Sequence, residues 1–181
     1  SQTKQKLVPL GEYLPGEESF PFLRDWLPNA RRYLPGDELN LFPGVDGSSI
    51  LAAICYDIGF EPILKKALES GVRVVWNPVN DGWFPSSMAA WHKALAQFRS
   101  AEMGLPLVRV SNSGYSVIAD DRGVVLQTGE WNQSVAKTVT ILIPEHAGPW
   151  LHIAEIFRWA LLGWVLLDVG LGLLLRRSQE D

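Results

Sequence analysis

The chain has one cysteine, three histidines and no long run of like charge, and each scarcity removes a class of function. A lone cysteine forms no internal disulfide, so cysteine count carries no information on the redox compartment. The histidines fall on a helix-like stretch (His92), a Pro/Gly-rich loop (His146) and the lead-in to an apolar run (His152), so no cysteine–histidine pair for nucleophilic catalysis is indicated. A net charge of −4, with lysines and arginines scattered except for short pairs, gives no basic footprint, and nucleic acid is not an expected partner. Low-complexity segments are missing too. At 181 residues and 47% apolar composition the chain can bury one sizeable core. No secretory leader opens it, and a start at Ser1 without Met is not expected to be a natural terminus.

What is present gathers around Ile54-Cys55-Tyr56-Asp57. The apolar run Ile50 to Ile54, entered through the turn signal Asp46-Gly47-Ser48-Ser49, predicts a buried strand ending at the cysteine, where α/β folds place chemistry. A cysteine there is also compatible with a small buried hydrophobe. A helix over Glu61 to Ser70, stopped by Gly71, and a strand over Val72 to Trp76 complete a βαβ pattern. Met88, Trp91, Leu95 and Phe98 mark a helix from Ser86 or Ser87, as N-cap, to about Met103, stopped by Gly104-Leu105-Pro106. Strands are expected at Leu107–Val110, Tyr115–Ala119, Val124–Gln127 and Val135–Ile143, with a hairpin turn at Asp121-Arg122-Gly123. Residues 19–36 combine Phe20, Phe22, Trp26 and Leu27 with three prolines. They form either a loop folded on the core or a lid or membrane-touching arm.

Eight tryptophans exceed what one core needs, and such rings suit a membrane interface. Residues 159–175 are apolar except for Asp168 and cover roughly 25 Å as a helix. Asp168 costs about 2.5–3.5 kcal/mol at mid-span, while the leucines and valines return roughly 3–6 kcal/mol, so insertion is narrowly favoured. Arg176-Arg177 would then lie in the cytoplasm and the Cys55 domain on the other side. Gly163, Gly170 and Gly172 permit a partner helix to approach Asp168. The domains expected are thus 1–149, a transmembrane helix with flanks over 150–177, and a cytoplasmic tail over 178–181.

A catalytic thiol needs a base and an oxyanion stabiliser, and with no histidine at hand a lysine–carboxylate pair is what these residues can supply. Several motifs resemble, in order and spacing, the carbon–nitrogen hydrolase (nitrilase) superfamily, and within it the bacterial apolipoprotein N-acyltransferases. Lys4-x-x-Leu7-Val8-Pro9-x-Gly11-Glu12-Tyr13 is similar to the family's lysine segment, and Ile54-Cys55-Tyr56-Asp57 to its nucleophile turn. Asn80-Asp81-Gly82-Trp83-Phe84 and Arg99-x-Ala101-Glu102-x-Gly104-x-Pro106-Leu107-x-Arg109, with Asn112-x-Gly114, resemble the stretches that follow. The resemblance covers the chain from Lys4 to its C-terminus.

That resemblance implies an α/β fold, a nitrilase-like αββα sandwich whose N-terminal part is missing here, followed by one C-terminal transmembrane helix. It implies an enzyme that takes an acyl chain from a phospholipid donor onto Cys55 as a thioester and passes it to the α-amino group of a diacylglyceryl lipoprotein. Cys55 would be the nucleophile, Lys4 the oxyanion stabiliser beside the sulfur, and Glu12 the carboxylate that orients Lys4. Tyr56, Trp83, Phe84 and Trp26 would meet the acyl chain or the bilayer. No cofactor and no metal are implied. The place would be a bacterial inner membrane, with the catalytic domain periplasmic. The family's general-base glutamate precedes the lysine, so the chain is expected to be a fragment or one piece of a split enzyme, with the missing N-terminal half as partner. Asp57, where the acyltransferases usually carry glutamate, favours an alternative, a membrane-tethered amidase or nitrilase of a small amide. The missing base favours another, a non-catalytic membrane module.

Overall fold

A computed structural model describes the backbone of residues 3–44 and 47–180, and the side chains of these apart from residue 152 and residues 171–180. Asp46 of the expected turn, the His152 side chain, the last five side chains of the expected span and the Arg176-Arg177 flank lie outside the described residues. The chain divides into two compact units, Ser1–Gly148 and Pro149–Asp181.

In the first unit, six strands form a mixed sheet among the described residues: β1 (Leu41–Pro43), β2 (Ser49–Ala52), β3 (Val72–Val79), β4 (Leu107–Ser111), β5 (Ser116–Ala119) and β6 (Val125–Gly129), paired in that order. The centre, β2 to β4, is parallel because a helical crossover follows each strand, α2 (Glu61–Glu69) and then α3 (Ser86–Met103). Hairpin-linked β5 and β6 and the short β1 pair antiparallel at the flanks. A one-turn helix, α1 (Leu23–Trp26), is the only regular element described in the 19–36 arm. The expected strand at Ile50 to Cys55 stops at Ala52, and a 3-10 helix over Cys55–Gly59 begins at the cysteine itself.

Strand periodicity sorts the sheet into two faces. Val75, Asn77 and Val79 of β3, with Leu107 and Arg109 of β4, are buried on the side where α2 and α3 pack. The alternate residues Ile50, Val74, Trp76 and Val108 line an open apolar groove of about 690 Å³. On α3 the buried stripe is Ala89, His92, Ala96, Ser100 and Met103, and the larger Met88, Trp91 and Phe98 point outward. Small residues let the helix lie close to the sheet, which spacing alone does not reveal. Pro85, rather than a serine, holds the α3 N-cap, and no side chain caps it. Gly104 ends the helix at φ 63°, and a Cβ there would stand 2.4 Å from the Gly148 nitrogen.

Two expectations change. Residues 135–143 form no strand: Val135 packs beside Gly129, while Ile141 and Ile143 help line the open groove, so their apolar side chains serve as cover rather than as ladder positions. In the second unit, α4 (Trp150–Glu180) runs unbroken through the expected span. Among the described residues, however, no helix is long and apolar enough to cross a membrane. The expected transmembrane helix is therefore unsupported by the described residues.

Candidate active site

Cys55 occupies a backbone position that few side chains adopt. Its φ of 52° lies in the left-handed region, between extended Ile54 and the 3-10 helix, a conformation that costs about 1–3 kcal/mol and persists only when its surroundings enforce it. Asn77 supplies that enforcement: its amide donates to the carbonyls of Ala53 (2.6 Å) and Cys55 (3.3 Å). The Ala53 N–H adds a bond to the Trp76 carbonyl at 2.9 Å. The thiol is buried, and burial pushes its pKa up; the Lys4 ammonium and the Asn80 backbone N–H pull it back, while the Asp81 and Glu12 carboxylates push with burial. This is the microenvironment of a nucleophile held largely protonated at rest.

Lys4 and Glu12 are brought together. Lys4 Nζ donates to Glu12 Oε2 at 2.6 Å, with both side chains largely buried. The same oxygen accepts the Val8 N–H at 2.7 Å, and the Glu12 N–H returns a bond to the Val8 carbonyl, so the loop is wound around its own carboxylate. Lys4 Nζ also lies 6.0 Å from the centre of the Tyr56 ring. Asp57, fully buried, accepts the backbone N–H groups of Lys6 (2.7 Å) and Gln5 (3.2 Å). It therefore ties the lysine segment to the turn that carries the cysteine. Burial raises its pKa, against the pull of these two N–H groups and Lys4. Its carboxylate is taken up by backbone, so it is a poor indicator of substrate.

Beneath the turn lies a polar network that the sequence does not announce. Arg109 is wholly buried; its guanidinium donates to Asn77 Oδ1 (2.8 Å), Asp81 Oδ2 (2.7 Å) and the Tyr115 carbonyl (3.3 Å). Asp81 also accepts the Ser111 hydroxyl at 2.9 Å, and its other oxygen lies 3.2 Å from His92 Nδ1. Burial alone would raise the Asp81 pKa, but His92, Arg109 and Ser111 outweigh it and hold the carboxyl below its usual range. Gly114 is confined by this network, since a Cβ there would stand 2.2 Å from Asp81 Oδ2. Asp81, Arg109 and Gly114 stand in the motifs quoted above, and Arg109 alone carries a signal of its buried place, a charge on the inward register of an apolar strand.

Around these groups, Tyr56 lines a cavity of about 970 Å³ with Phe60, Lys6, Arg31, Arg32 and Tyr33. Trp83 lies on Gly11, where a Cβ would come within 2.7 Å of the ring, and its indole N–H donates to the Asn80 carbonyl at 2.7 Å. It is thereby brought to the Glu12 loop, and Phe84 stacks on it. Trp26 is not gathered in: it is 76% exposed and touches Phe22 edge-on. Among the described residues no cluster of His, Cys, Asp and Glu could hold a metal ion.

Comparison with known proteins bears on this arrangement. Residues 4–145 match the family described as carbon-nitrogen hydrolase. Over 97% of its length the chain is 30% identical to the apolipoprotein N-acyltransferase of Pasteurella multocida (strain Pm70), covering 34% of that protein. Over 72% of its length it is 36% identical to the apolipoprotein N-acyltransferase of Synechocystis sp., covering 25% of it. The chain thus spans about a third or less of these curated relatives. Among solved structures, the glutamine-dependent NAD+ synthetase of Acinetobacter baumannii superposes with a TM-score of 0.54 at 15% identity, over 73% of this chain and 24% of that one. A mutant of the Nesterenkonia sp. AN1 amidase, with an acetamide moiety added at its active site cysteine, gives 0.51 at 19% identity over 86% of this chain and 54% of that one. At such identity the likeness is one of fold, a nitrilase-like α/β fold with a mixed sheet. With the family match spanning most of its length, this chain belongs to the carbon-nitrogen hydrolase family.

Proposed function

We propose that the chain carries the nucleophile-bearing part of an apolipoprotein N-acyltransferase. The observation that carries the reading is the Lys4–Glu12 ion pair at 2.6 Å, acting on a cysteine held at a left-handed turn. The Cys55 sulfur attacks the ester carbonyl of a phospholipid acyl chain, forming a C–S bond. Lys4 and the backbone N–H after Cys55 stabilise the oxyanion, and Glu12 orients Lys4. Collapse breaks the ester C–O bond and releases a lysophospholipid, whose alkoxide takes the proton first removed from the thiol. The α-amino group of a diacylglyceryl-cysteine then attacks the thioester; a C–N bond forms, the C–S bond breaks, and the amine proton restores the thiol. Its general base is a glutamate outside these residues, as the family resemblance implies. Tyr56, Trp83 and Phe84 meet the acyl chain, and Trp26 meets the bilayer.

For α4 we place residues 159–175 in a bacterial inner membrane, with Arg176-Arg177 cytoplasmic and the Cys55 unit periplasmic. The outward positions of its described part, among them Phe157, Trp159, Trp164, Leu166 and Leu167, are exposed and apolar, as a lipid-facing helix requires. The test of the whole reading is to incubate the full-length protein with phospholipid of defined acyl composition and read the intact mass. A mass increment of one acyl chain on Cys55, discharged by a diacylglyceryl-cysteine peptide, is expected. Hydrolysis of a small amide with no acyl uptake from phospholipid would replace this reading with an amidase.

A further inference from the structure

We propose that Arg109 is a positioning residue for the Cys55 thiol: one arm of its guanidinium holds the Asn77 amide that fixes the nucleophile turn, and the other holds Asp81 in the loop beside the sulfur. The two arms act on different sides of the same atom. Through Asn77, Arg109 governs the carbonyls of Ala53 and Cys55, and so the left-handed backbone at the cysteine. Through Asp81 it holds the residue next to Asn80, whose backbone N–H favours the thiolate. Arg109 and Asp81 are both wholly buried, so neither group has water to fall back on.

Electrostatics adds a second reason. The charged groups facing the thiol are Lys4 and Glu12 from the N-terminal loop, Asp81 after β3 and Arg109 from β4. His92 of α3 stands behind Asp81, and Asp57 behind the turn. Removing the guanidinium leaves the Asp81 charge with only His92 and Ser111 to offset it next to a thiol that must ionise to react, and strips Asn77 Oδ1 of its donor. Both effects lower the thiolate fraction. The role deepens the acyl-transfer reading, and rests on it for the meaning of a poised thiol.

Cys55 is the only cysteine, so alkylation of the 181-residue chain by iodoacetamide reports this thiol directly. The rate is measured from pH 6 to pH 11 on protein that melts cooperatively. Arg109→Gln is expected to raise the midpoint by about one pH unit, a tenfold loss of thiolate on the rising limb, where one unit is a factor of ten. Asp81→Asn, which keeps the guanidinium and removes the opposing charge, is expected to lower the midpoint below wild type, and it decides the matter if Arg109→Gln does not fold. Wild-type midpoints in folded Arg109→Gln, or in Asp81→Asn where only that variant folds, would reduce Arg109 to a packing element. No acyl transfer is needed for this readout. Failure to acylate from phospholipid, with the midpoints moving as stated, overturns only the acyltransferase reading, and the reverse pattern overturns only this one.

Discussion

The two faces of the one sheet follow opposite rules. On the side where α2 and α3 pack, β3 and β4 bury Asn77 and Arg109 between Val75, Leu107 and Val117, and the polar atoms find partners within the network. On the other side the same strands present Val74, Trp76 and Val108 to an open groove, with Trp76 39% exposed, and Val110 on that face is 52% exposed. Charge is inside and tryptophan is half outside, the reverse of ordinary sorting. A buried ion pair is seldom the most stable way to fill a core, because desolvation offsets most of its attraction. Its presence on the packed face therefore points to work done there, and the turn it supports carries the cysteine. The open apolar face has the chemistry of a surface that packs against apolar cover.

The largest effect expected from this division is on chemistry. Cys55→Ser in the full-length protein should reduce acyl-enzyme formation by at least about 10³-fold while preserving the fold, since it changes nucleophilicity more than volume. Ile50→Val, one methylene smaller on the open face, should leave the rate within about twofold, as the methylene touches no reacting group. Intact-mass kinetics on both variants checks the contrast, and an open-face variant as damaging as Cys55→Ser would dissolve it. Next in size is Gly114→Ala. Its new methyl would stand 2.2 Å from Asp81 Oδ2 and 2.7 Å from Ser111 Oγ, and the buried network must yield. A loss of about 3 kcal/mol by urea titration is expected, the upper end for overpacking.

Local pattern carried the helices and strands because their signals are local. Gly104-Leu105-Pro106 stops α3 within one residue of the expected end, and Asp121-Arg122-Gly123 turns the β5–β6 hairpin with Gly123 at φ 76°. Lys4, Glu12 and Cys55 were legible through ordered motifs. Missing from the sequence was everything that acts across distance. Asp57 reaches back 52 residues to the Gln5 N–H, and Arg109 reaches 32 to Asn77, with no periodicity to mark the partner of either. His92 is followed by Lys93 on a helix of mixed polarity, and only the fold puts it beside Asp81. Its Nε2 is buried with no hydrogen-bond partner among the described residues. Residues 135–143 had the alternation of a strand, yet alternation also suits a segment that lays side chains over a sheet.

The acid limb of stability gives a finer probe of the packed face. The Asp81 pKa is lowered in the fold, so its contribution is present above the ordinary carboxylate value and is lost as pH falls through the folded one. Asp57 has the opposite sign: its raised pKa makes ionisation unfavourable, and stability declines as pH rises through that window. Comparing wild type with Asp81→Asn cancels the Asp57 effect. Urea midpoints taken from pH 5 down to pH 2 should fall more steeply in wild type than in the variant. Parallel curves would mean that Asp81 is no better stabilised folded than unfolded.

The smallest effect is the most direct comparison, because it makes one substitution on both faces. Val75 and Val110 lie on adjacent strands with opposite orientation, Val75 fully buried and Val110 half exposed. Thr matches Val in shape and adds a hydroxyl. At Val75, fully buried opposite Leu107 of β4, that hydroxyl loses water without gaining a designed partner, a cost of about 1–3 kcal/mol. At Val110 it stays hydrated, and the change should lie within about 0.5 kcal/mol. Urea titration of Val75→Thr and Val110→Thr under identical conditions reads the difference. Equal losses at the two sites would mean that the open face is covered in solution, by a second copy of the chain or by its own longer sequence. Added to the titration, sedimentation velocity would tell these apart, because a second copy doubles the mass.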